Sequence, residues 1–293
     1  TPVMVEYNLN KTIDTIEDST GLEPDEKIYL ITTFCTYLER DSYSAAVQKR
    51  MLEVTPEEEA FVFNNYEATI CLYNTLSSEE KELARKWTGE MAKGMCTFLK
   101  KPINTHQDLN EYCYYVAGTV GLYLTNLLKL NGSNVSNEIF ARLSVNAVSF
   151  GLFQQKLNII RDFVEDKITK KRSFWPRSYF EKEKDNVKVL NRMCLDVLEN
   201  DIPGAIEYFR LLPPGNDSYD YFIRFILCSG IEYWKILKSE RSIFSETKVK
   251  LARVFIQNLY GNVSSQTSEE FLDYCQRFYQ EEISTWPEGK QRA

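Results

Sequence analysis

The sequence predicts an all-α fold, because helix-start signals recur along the chain, apolar residues follow them at helical spacing, and no segment alternates as a strand would. The clearest start is Ser77-Ser78-Glu79-Glu80, in which a capping serine precedes a glutamate by three residues. Consecutive helices without strands predict a single domain over residues 1–293. The apolar stripe of the helix that starts there is Leu83, Trp87, Met91, Met95 and Phe98.

Similar signals justify the other elements. Thr55-Pro56-Glu57-Glu58 places a cap residue, a first-turn proline and glutamates in the order that a helix start prefers. Thr105 with Asp108, and Thr267 with Glu270, have the capping-box spacing. Loops are predicted at residues 132–134 and 213–217, where glycine, proline and asparagine cluster. The predicted helices span residues 3–18, 24–39, 56–75, 78–99, 107–128, 137–166, 187–200, 203–212, 219–238, 246–261 and 268–284.

Composition narrows the class of protein. The 293 residues are 43% hydrophobic and 26% charged, which fits a globular protein with a sizeable core rather than a disordered chain. A formal net charge of -7 disfavours nucleic acid as a partner, because phosphate binding needs a basic surface. No run of about 18 apolar residues is present, so no transmembrane segment is predicted, and no signal peptide is visible.

Cysteine and histidine usage predicts an intracellular protein. Seven cysteines are spread along the chain, and no two form a C-x-x-C pair, so we expect reduced, mostly buried thiols rather than a zinc site or a disulfide framework. The single histidine, His106, argues against His-ligated metal sites and Ser-His-Asp chemistry. We expect it in a surface loop or at a helix start.

Two segments carry the same acidic pattern, D-x-x-E-D. They are Asp14–Asp18 and Asp162–Asp166, and both lie in helix-compatible sequence. Residues three and four apart share a helical face, so each segment presents three carboxylates on one stripe. Mg²⁺ takes carboxylate oxygens and leaves positions for substrate phosphates, so two facing stripes could hold a magnesium-diphosphate cluster. Such metals would stabilise the charge that builds as diphosphate leaves an allylic carbocation, which needs a dry pocket lined by aromatic residues.

Two independently solvated acidic surfaces are the alternative, because a single D-x-x-E-D arises easily by chance. The second copy has apolar neighbours, since Asp162 follows Phe150-Gly151-Leu152-Phe153 and Asn158-Ile159-Ile160. That context is typical of a buried helix. The residues alone leave both interpretations open.

Four blocks resemble the squalene synthases of the squalene/phytoene synthase family. Lys11–Asp18 resembles the first aspartate-rich motif, and Tyr112–Gly121 resembles the family's Y-C-x-Y-V-A-G-x-V-G helix. Gly151–Asp162 continues into the second aspartate-rich motif, and Phe174-Trp175-Pro176 stands where the family has F-W-P. The blocks occur in the family's order over most of residues 3–180, whereas the chain after residue 200 is similar only in helical character.

The resemblance implies a single-domain isoprenoid synthase helical bundle with a central active-site cavity. It also implies a prenyltransferase, a farnesyl-diphosphate farnesyltransferase that joins two farnesyl diphosphates head to head through presqualene diphosphate. Reduction by NADPH would then give squalene. The alternatives are a related synthase without NADPH, making presqualene diphosphate, dehydrosqualene, hydroxysqualene or phytoene, and a non-catalytic relative. The glutamate within D-x-x-E-D favours the squalene branch, and the intact carboxylates argue against a non-catalytic relative.

The resemblance also implies roles for individual residues. Tyr112 would handle protons and stabilise cations, and Lys11, where the family usually has arginine, would contact diphosphate as a point charge. Lys171 and Arg172 would help hold NADPH. The implied catalytic residues are Tyr112, Asp14, Asp18, Asp162 and Asp166. The implied magnesium ligands are Asp14, Glu17, Asp18, Asp162, Glu165 and Asp166. The implied substrate contacts are Lys11, Tyr7, Val120, Leu124, Gln155, Asn158 and Arg161.

Some features depart from the family or stay open. The family has a helix before the first motif, and this chain, which starts thirteen residues before Asp14, is expected to lack it. Tyr219–Ile226 keeps aromatic residues but loses the proline and glutamine of the family's F-C-A-I-P-Q-like stretch. Gly118 and Gly121 each cost roughly 1 kcal/mol against alanine in mid-helix, and either close helix packing or room for an isoprenoid chain would explain them.

We expect a monomer at the cytoplasmic face of a membrane, of the endoplasmic reticulum in a eukaryote, because substrate tail and product are apolar.

Overall fold

The computed structural model describes residues 1–132, 135–215, 217–245 and 253–286, and all regular elements in these ranges are helical. Two stretches, Tyr114–Gly118 and Val197–Asp201, have π-helical turns, and Ser242–Phe244 is a short 3₁₀ turn. The α-helices are α1 Pro2–Asp18, α2 Pro24–Leu38, α3 Ala45–Val54, α4 Phe61–Asn64, α5 Tyr66–Asn74, α6 Ser78–Phe98, α7 His106–Cys113, α8 Thr119–Leu130, α9 Asn137–Arg161, α10 Phe163–Ile168, α11 Arg177–Lys182, α12 Asn186–Asp196, α13 Ile202–Arg210, α14 Asp217–Leu237, α15 Arg253–Ser265 and α16 Ser268–Thr285.

The helix of the first acidic motif, α1, is anchored by one apolar face. Val5, Leu9, Ile13 and Ile16 recur every three or four residues and are fully buried against a core shared with α2 and α6. Burying an aliphatic side chain contributes roughly 1.5–3 kcal/mol. These contacts fix the rotation of α1 and therefore the direction in which its carboxylates point.

Glycines let α9 approach both α8 and the π-helical turn that precedes it. A Cβ on Gly121 would stand 2.4 Å from the carbonyl oxygen of Ala147, and one on Gly151 would stand 2.5 Å from that of Ala117. Both distances are far inside van der Waals contact, so only glycine permits this packing. Close helix packing, rather than room for a ligand, is what Gly121 provides here.

The second acidic motif lies at a break that the sequence did not indicate. The predicted continuous helix 137–166 is wrong, because α9 ends at Arg161 and α10 begins at Phe163. Asp162 stands between them with φ -92° and ψ 16°. Phe163 packs on Trp175 with ring centroids 4.4 Å apart, so the F-W-P segment holds α10 in place.

The prediction for residues 40–75 is wrong as well. Helix α3 was missed; its cap is Ser44, whose hydroxyl accepts from the amide of Val47. Thr55 ends this helix instead of starting the next, and residues 56–60 form turns before α4. The missed helix α11 is a further difference. The predicted helix 246–261 lies partly outside the described residues, as do Ser133, Asn134 and Asn216 of the predicted loops, and α15 is seen from Arg253.

Three of the four predicted helix caps are confirmed, and the one at Thr55 is wrong. Ser77 with Glu80, Thr105 with Asp108, and Thr267 with Glu270 all form reciprocal capping boxes.

All seven cysteines are free, and four of them are buried. No helix in the described part of the chain is long and apolar enough to cross a membrane.

A buried polar network holds α9 on the side that does not line the cavity described below. His106 begins α7, as predicted, but its ring is partly buried, with Nε2 3.1 Å from an Asp196 oxygen. The ammonium of Lys156 is inaccessible and lies 2.7 Å from Asp196 and 2.8 Å from Asp201. Ion pairs of this kind are costly to break, because a lone partner would be left buried.

Candidate active site

A cavity of about 1130 Å³ opens between α1, the segment that joins α3 to α4, the α9–α10 junction and α14. Tyr7, Lys11 and Asp18 line it from α1. Asn158 and Arg161 line it from α9, and the second motif contributes from the junction. Both acidic motifs therefore border one space. The second-motif and α14 residues in its wall are Asp162, Glu165, Ser229, Gly230 and Tyr233.

The first motif lies on the last turns of α1. Asp14 accepts from Lys11 Nζ at 2.6 Å, and burial together with the nearby charge of Asp18 raises the pKa of Asp14. Glu17 faces inward and is 1% exposed. Lys27 of α2 donates to the main-chain carbonyl of Glu17 at 2.7 Å, which satisfies one of the unpaired carbonyls at this helix end.

The second motif turns around the helix break. Arg161 Nε donates to Asp162 Oδ1 at 2.6 Å, so the last residue of α9 orients the first carboxylate of the motif. Asp166, on α10, is 4% exposed. Burial raises the pKa of Asp166 to about 6, although Lys170 opposes that shift.

One ammonium group joins the two motifs. Lys170 Nζ lies 3.0 Å from Asp18 Oδ2 and 3.2 Å from Asp166 Oδ1. Burial disfavours the charged lysine, but the carboxylates of Asp18 and Asp166 outweigh it and raise the pKa of Lys170. The motifs are therefore close enough to share a single cation.

Arg172 lies on the inner side of the acidic motifs. Its guanidinium pairs with the Glu17 carboxylate and lies over the Phe174 ring, 4.6 Å from the centroid. Tyr112 stacks on Phe174, with ring centroids 4.7 Å apart, and meets Phe98 edge to face, with centroids 5.4 Å apart. Burial, and then the charge of Glu17, raise the pKa of the Tyr112 hydroxyl. Tyr112 thus lies behind the Glu17–Arg172 pair and does not line the cavity.

The residues fit a magnesium site in their donor chemistry. The two motifs bring carboxylates to the cavity wall, at Asp18, Asp162 and Glu165, and carboxylate oxygens are the hard ligands that Mg²⁺ takes. The shared ammonium of Lys170 shows that one cation can be held by Asp18 and Asp166 together. Within the described ranges, no three acidic, histidine or cysteine side chains already converge as a metal-binding group.

Comparison with known proteins identifies the family. Residues 1–198 match the family model for squalene/phytoene synthase. The chain belongs to this family. Squalene synthase 8 of Panax ginseng is 34% identical over 190 residues, covering 64% of this chain and 46% of that protein. Squalene synthase of Rattus norvegicus is 32% identical over 230 residues, covering 72% of this chain and 51% of that protein. The chain spans about half the length of these relatives.

Solved structures agree with the helical architecture. TcSQS in complex with the ligand BPH1237 has a TM-score of 0.81 and 26% identity, over 100% of this chain and 85% of that one. A dehydrosqualene synthase has a TM-score of 0.51 and 20% identity, over 90% of this chain and 98% of that one, and shows the fold alone. The predicted all-α isoprenoid synthase fold is confirmed.

The residues predicted from the family resemblance fall into three groups. Those that line the cavity are Tyr7, Lys11, Asp18, Asn158, Arg161, Asp162 and Glu165. Those that belong to the motifs but lie beside the cavity are Asp14, Glu17 and Asp166. Those that do not line it are Tyr112, Val120, Leu124, Gln155, Lys171 and Arg172.

Several residues of the last group lie away from the cavity for clear physical reasons. Val120 and Leu124 pack beside the core of α1 and α6. Gln155 is rotated away, whereas Gln154 lines the cavity on the same face of α9 as Asn158 and Arg161. That face could be predicted from the helical spacing of four and three residues.

The sequence singled out neither Lys170, one of the basic residues at 167–172 that the family resemblance places beside the active site, nor Tyr233. Lys170 lies in a run of basic residues in which no pattern distinguishes the one that turns inward. Tyr233 lies on α14, beyond the region of family resemblance, and its ring centroid is 6.0 Å from the Arg161 guanidinium.

Proposed function

We propose that this chain is a prenyltransferase that condenses two molecules of farnesyl diphosphate head to head, as a squalene synthase does. The observation that carries the proposal is the convergence of both D-x-x-E-D motifs on one cation at the wall of a large cavity. An unrelated pair of solvated acidic helices would have no reason to meet. The names of the relatives support the choice of substrate.

The residues around the motifs suit a diphosphate. Bound Mg²⁺, held by motif carboxylates at the cavity wall such as Asp18, Asp162 and Glu165, would stabilise the charge that develops on the leaving diphosphate. Lys11 and Arg161 line the cavity next to the carboxylates, and both can donate to diphosphate oxygens. Arg161 offers a planar fork for two oxygens, whereas Lys11 acts as a point charge.

The rest of the cavity wall suits an apolar chain. Leu157 and Val62 contribute aliphatic surface, and Tyr7, Phe61 and Tyr233 contribute aromatic rings. Aromatic faces attract cations, so these rings can stabilise an allylic carbocation once water is excluded. Tyr7 and Phe61 are each 66% exposed, which leaves this end of the cavity accessible to a long substrate.

Reduction to squalene by NADPH is the finer part of the proposal. The squalene synthases among the relatives favour it over a dehydrosqualene or phytoene type of product. Lys171 is exposed and free to contact a phosphate, whereas Arg172 is engaged by Glu17, so we assign no nicotinamide contact to Arg172. The reduction by NADPH is the half-reaction to test, because the stretch Tyr219–Ile226 on α14 departs from the family. Tyr219 is hydrogen-bonded to Tyr208, with 2.6 Å between the hydroxyl oxygens, and does not line the cavity.

Product analysis with farnesyl diphosphate and Mg²⁺, with and without NADPH, tests the proposal. Squalene that forms only with NADPH is the expected result. One hydrocarbon formed equally with and without NADPH would instead identify the nicotinamide-free type. No product from the folded chain would overturn the proposed condensation. Because product and substrate tail are apolar, we also propose that the reaction takes place at the cytoplasmic face of a membrane, which adding vesicles to the assay would test.

A further inference from the structure

The segment after α10 folds back over the acidic motifs. The amide of Arg172 donates to the carbonyl of Asp166 at 2.9 Å, and the amide of Thr169 donates to that of Glu165 at 2.8 Å. These main-chain bonds fix the turn that carries Lys170. Its side chain, 26% exposed, reaches across to Asp18 on α1 while it contacts Asp166 on its own side.

The charge balance explains why Lys170 turns inward. Asp18 and Asp166 would repel each other across a partly buried space, where screening by water is weak. An ammonium within 3.2 Å of both carboxylates removes that repulsion. Mg²⁺ needs the same carboxylate oxygens, so lysine and metal cannot both use them fully.

We propose that Lys170 is a built-in counter-cation, which holds the two motifs together before metal binds and competes with Mg²⁺ for Asp18 and Asp166. This inference rests on the proposed function, because it assumes that the motifs bind Mg²⁺. Lys170 is a positioning residue that lowers the affinity of the site for Mg²⁺ when no diphosphate is present. Diphosphate oxygens, which add ligands and negative charge, then favour displacement of the ammonium, so metal and substrate load together.

Calorimetric titration of the metal-free chain with Mg²⁺ alone tests the competition. Lys170→Met should lower the Kd for Mg²⁺ about tenfold or more, because one positive charge next to the metal is removed. Lys170→Arg keeps the charge and should leave the affinity within about threefold of the unmodified chain. Lys167→Met is the matched control, since this lysine lies over the Phe163 ring, 4.7 Å from its centroid, and it should leave the affinity unchanged.

Thermal unfolding without metal gives a second measurement. Lys170→Met should melt at a lower temperature, because the carboxylates then face each other unpaired, and Mg²⁺ should raise its melting temperature more than that of the unmodified chain. If Lys170→Met binds Mg²⁺ no more tightly than the unmodified chain, the proposed role of Lys170 is overturned, while the proposed function is not affected. An equal gain in Lys167→Met, or an Lys170→Arg affinity as high as that of Lys170→Met, would have the same consequence. Absence of Mg²⁺ binding in every variant, even with inorganic pyrophosphate present, would overturn the metal site and the proposed function with it.

Discussion

The guanidinium of Arg172 is paired with the carboxylate of Glu17, and this ion pair ties the segment after the second acidic motif to the helix of the first. The two residues are 155 positions apart in the chain. Burial raises the pKa of Glu17, and the charge of Arg172 opposes that shift. Because Glu17 is 1% exposed, its charge depends on this partner.

Removing Arg172 should therefore destabilise the fold. Arg172→Met leaves a buried carboxylate without its partner, which typically costs about 3–5 kcal/mol of unfolding free energy. Urea denaturation without metal, at a pH above the folded-state pKa of Glu17 of about 7, measures the loss. Glu17→Gln combined with Arg172→Met should recover much of it, since no unpaired charge remains. A coupling free energy below about 0.5 kcal/mol in this double-mutant cycle would show that the two side chains act independently.

Asp162 should be needed for turnover but not for folding. Its carboxylate lines the cavity, and Arg161 orients it at 2.6 Å. Asp162→Asn keeps the shape and removes one charge of the proposed metal site, so the turnover rate should fall by about a hundredfold or more. Turnover of farnesyl diphosphate is compared with that of Glu181→Gln, an exposed acidic residue on α11. Equal rates in the two variants would remove Asp162 from the metal site.

Most of the fold was predictable, because helix starts depend on short local signals. The capping boxes at Ser77, Thr105 and Thr267 gave starts within one residue of those observed. The failures have a common cause, which is that one local signal has more than one structural use. Pro56 favours a first helical turn and also a simple turn, and here the turn forms. The break at Asp162 leaves the acidic spacing intact, so periodicity does not reveal it.

The site was predictable where it depends on a helical face and not where it depends on tertiary contacts. Asn158 and Arg161 lie on the face that leads into the second motif, and both line the cavity. Lys170 reaches the motifs only because main-chain bonds fold the segment after α10 back. Tyr112 does not line the cavity, because its side chain lies behind Arg172, a contact that joins parts of the chain distant in sequence, and its catalytic role stays a prediction.

Two glycines offer a matched test of helix packing. Gly121→Ala should destabilise the protein by about 1–3 kcal/mol, because the new Cβ would meet the Ala147 carbonyl of α9. Gly89→Ala, in the middle of α6 with nothing within 4 Å of the added Cβ, should stabilise it by about 0.5–1 kcal/mol. Thermal or urea unfolding measures both. Stabilisation by Gly121→Ala would mean that α8 and α9 lie further apart than described.

Glu6 should give the fold a pH dependence that is separate from the acidic motifs. This residue of α1 is 2% exposed, with Asn10 Nδ2 3.3 Å from one carboxyl oxygen and Thr88 Oγ1 3.3 Å from the other. Burial raises the pKa of Glu6 to about 8, while these two hydrogen bonds oppose the shift. The carboxyl group is therefore neutral in the folded chain at pH 7 and ionised in the unfolded chain.

The sign of the effect follows from proton binding. Between about pH 4.5 and pH 8 the folded chain holds a proton that the unfolded chain has lost, so stability falls as pH rises, by up to about 1.4 kcal/mol per pH unit. Below this window the contribution is fully present, and above it no further loss occurs. Glu6→Gln removes the titration and keeps the shape, so its stability relative to the unmodified chain should increase from pH 5 to pH 8.5. Urea denaturation of both chains at these pH values measures the difference, and parallel stability curves would mean that Glu6 ionises in the folded protein as it does in water.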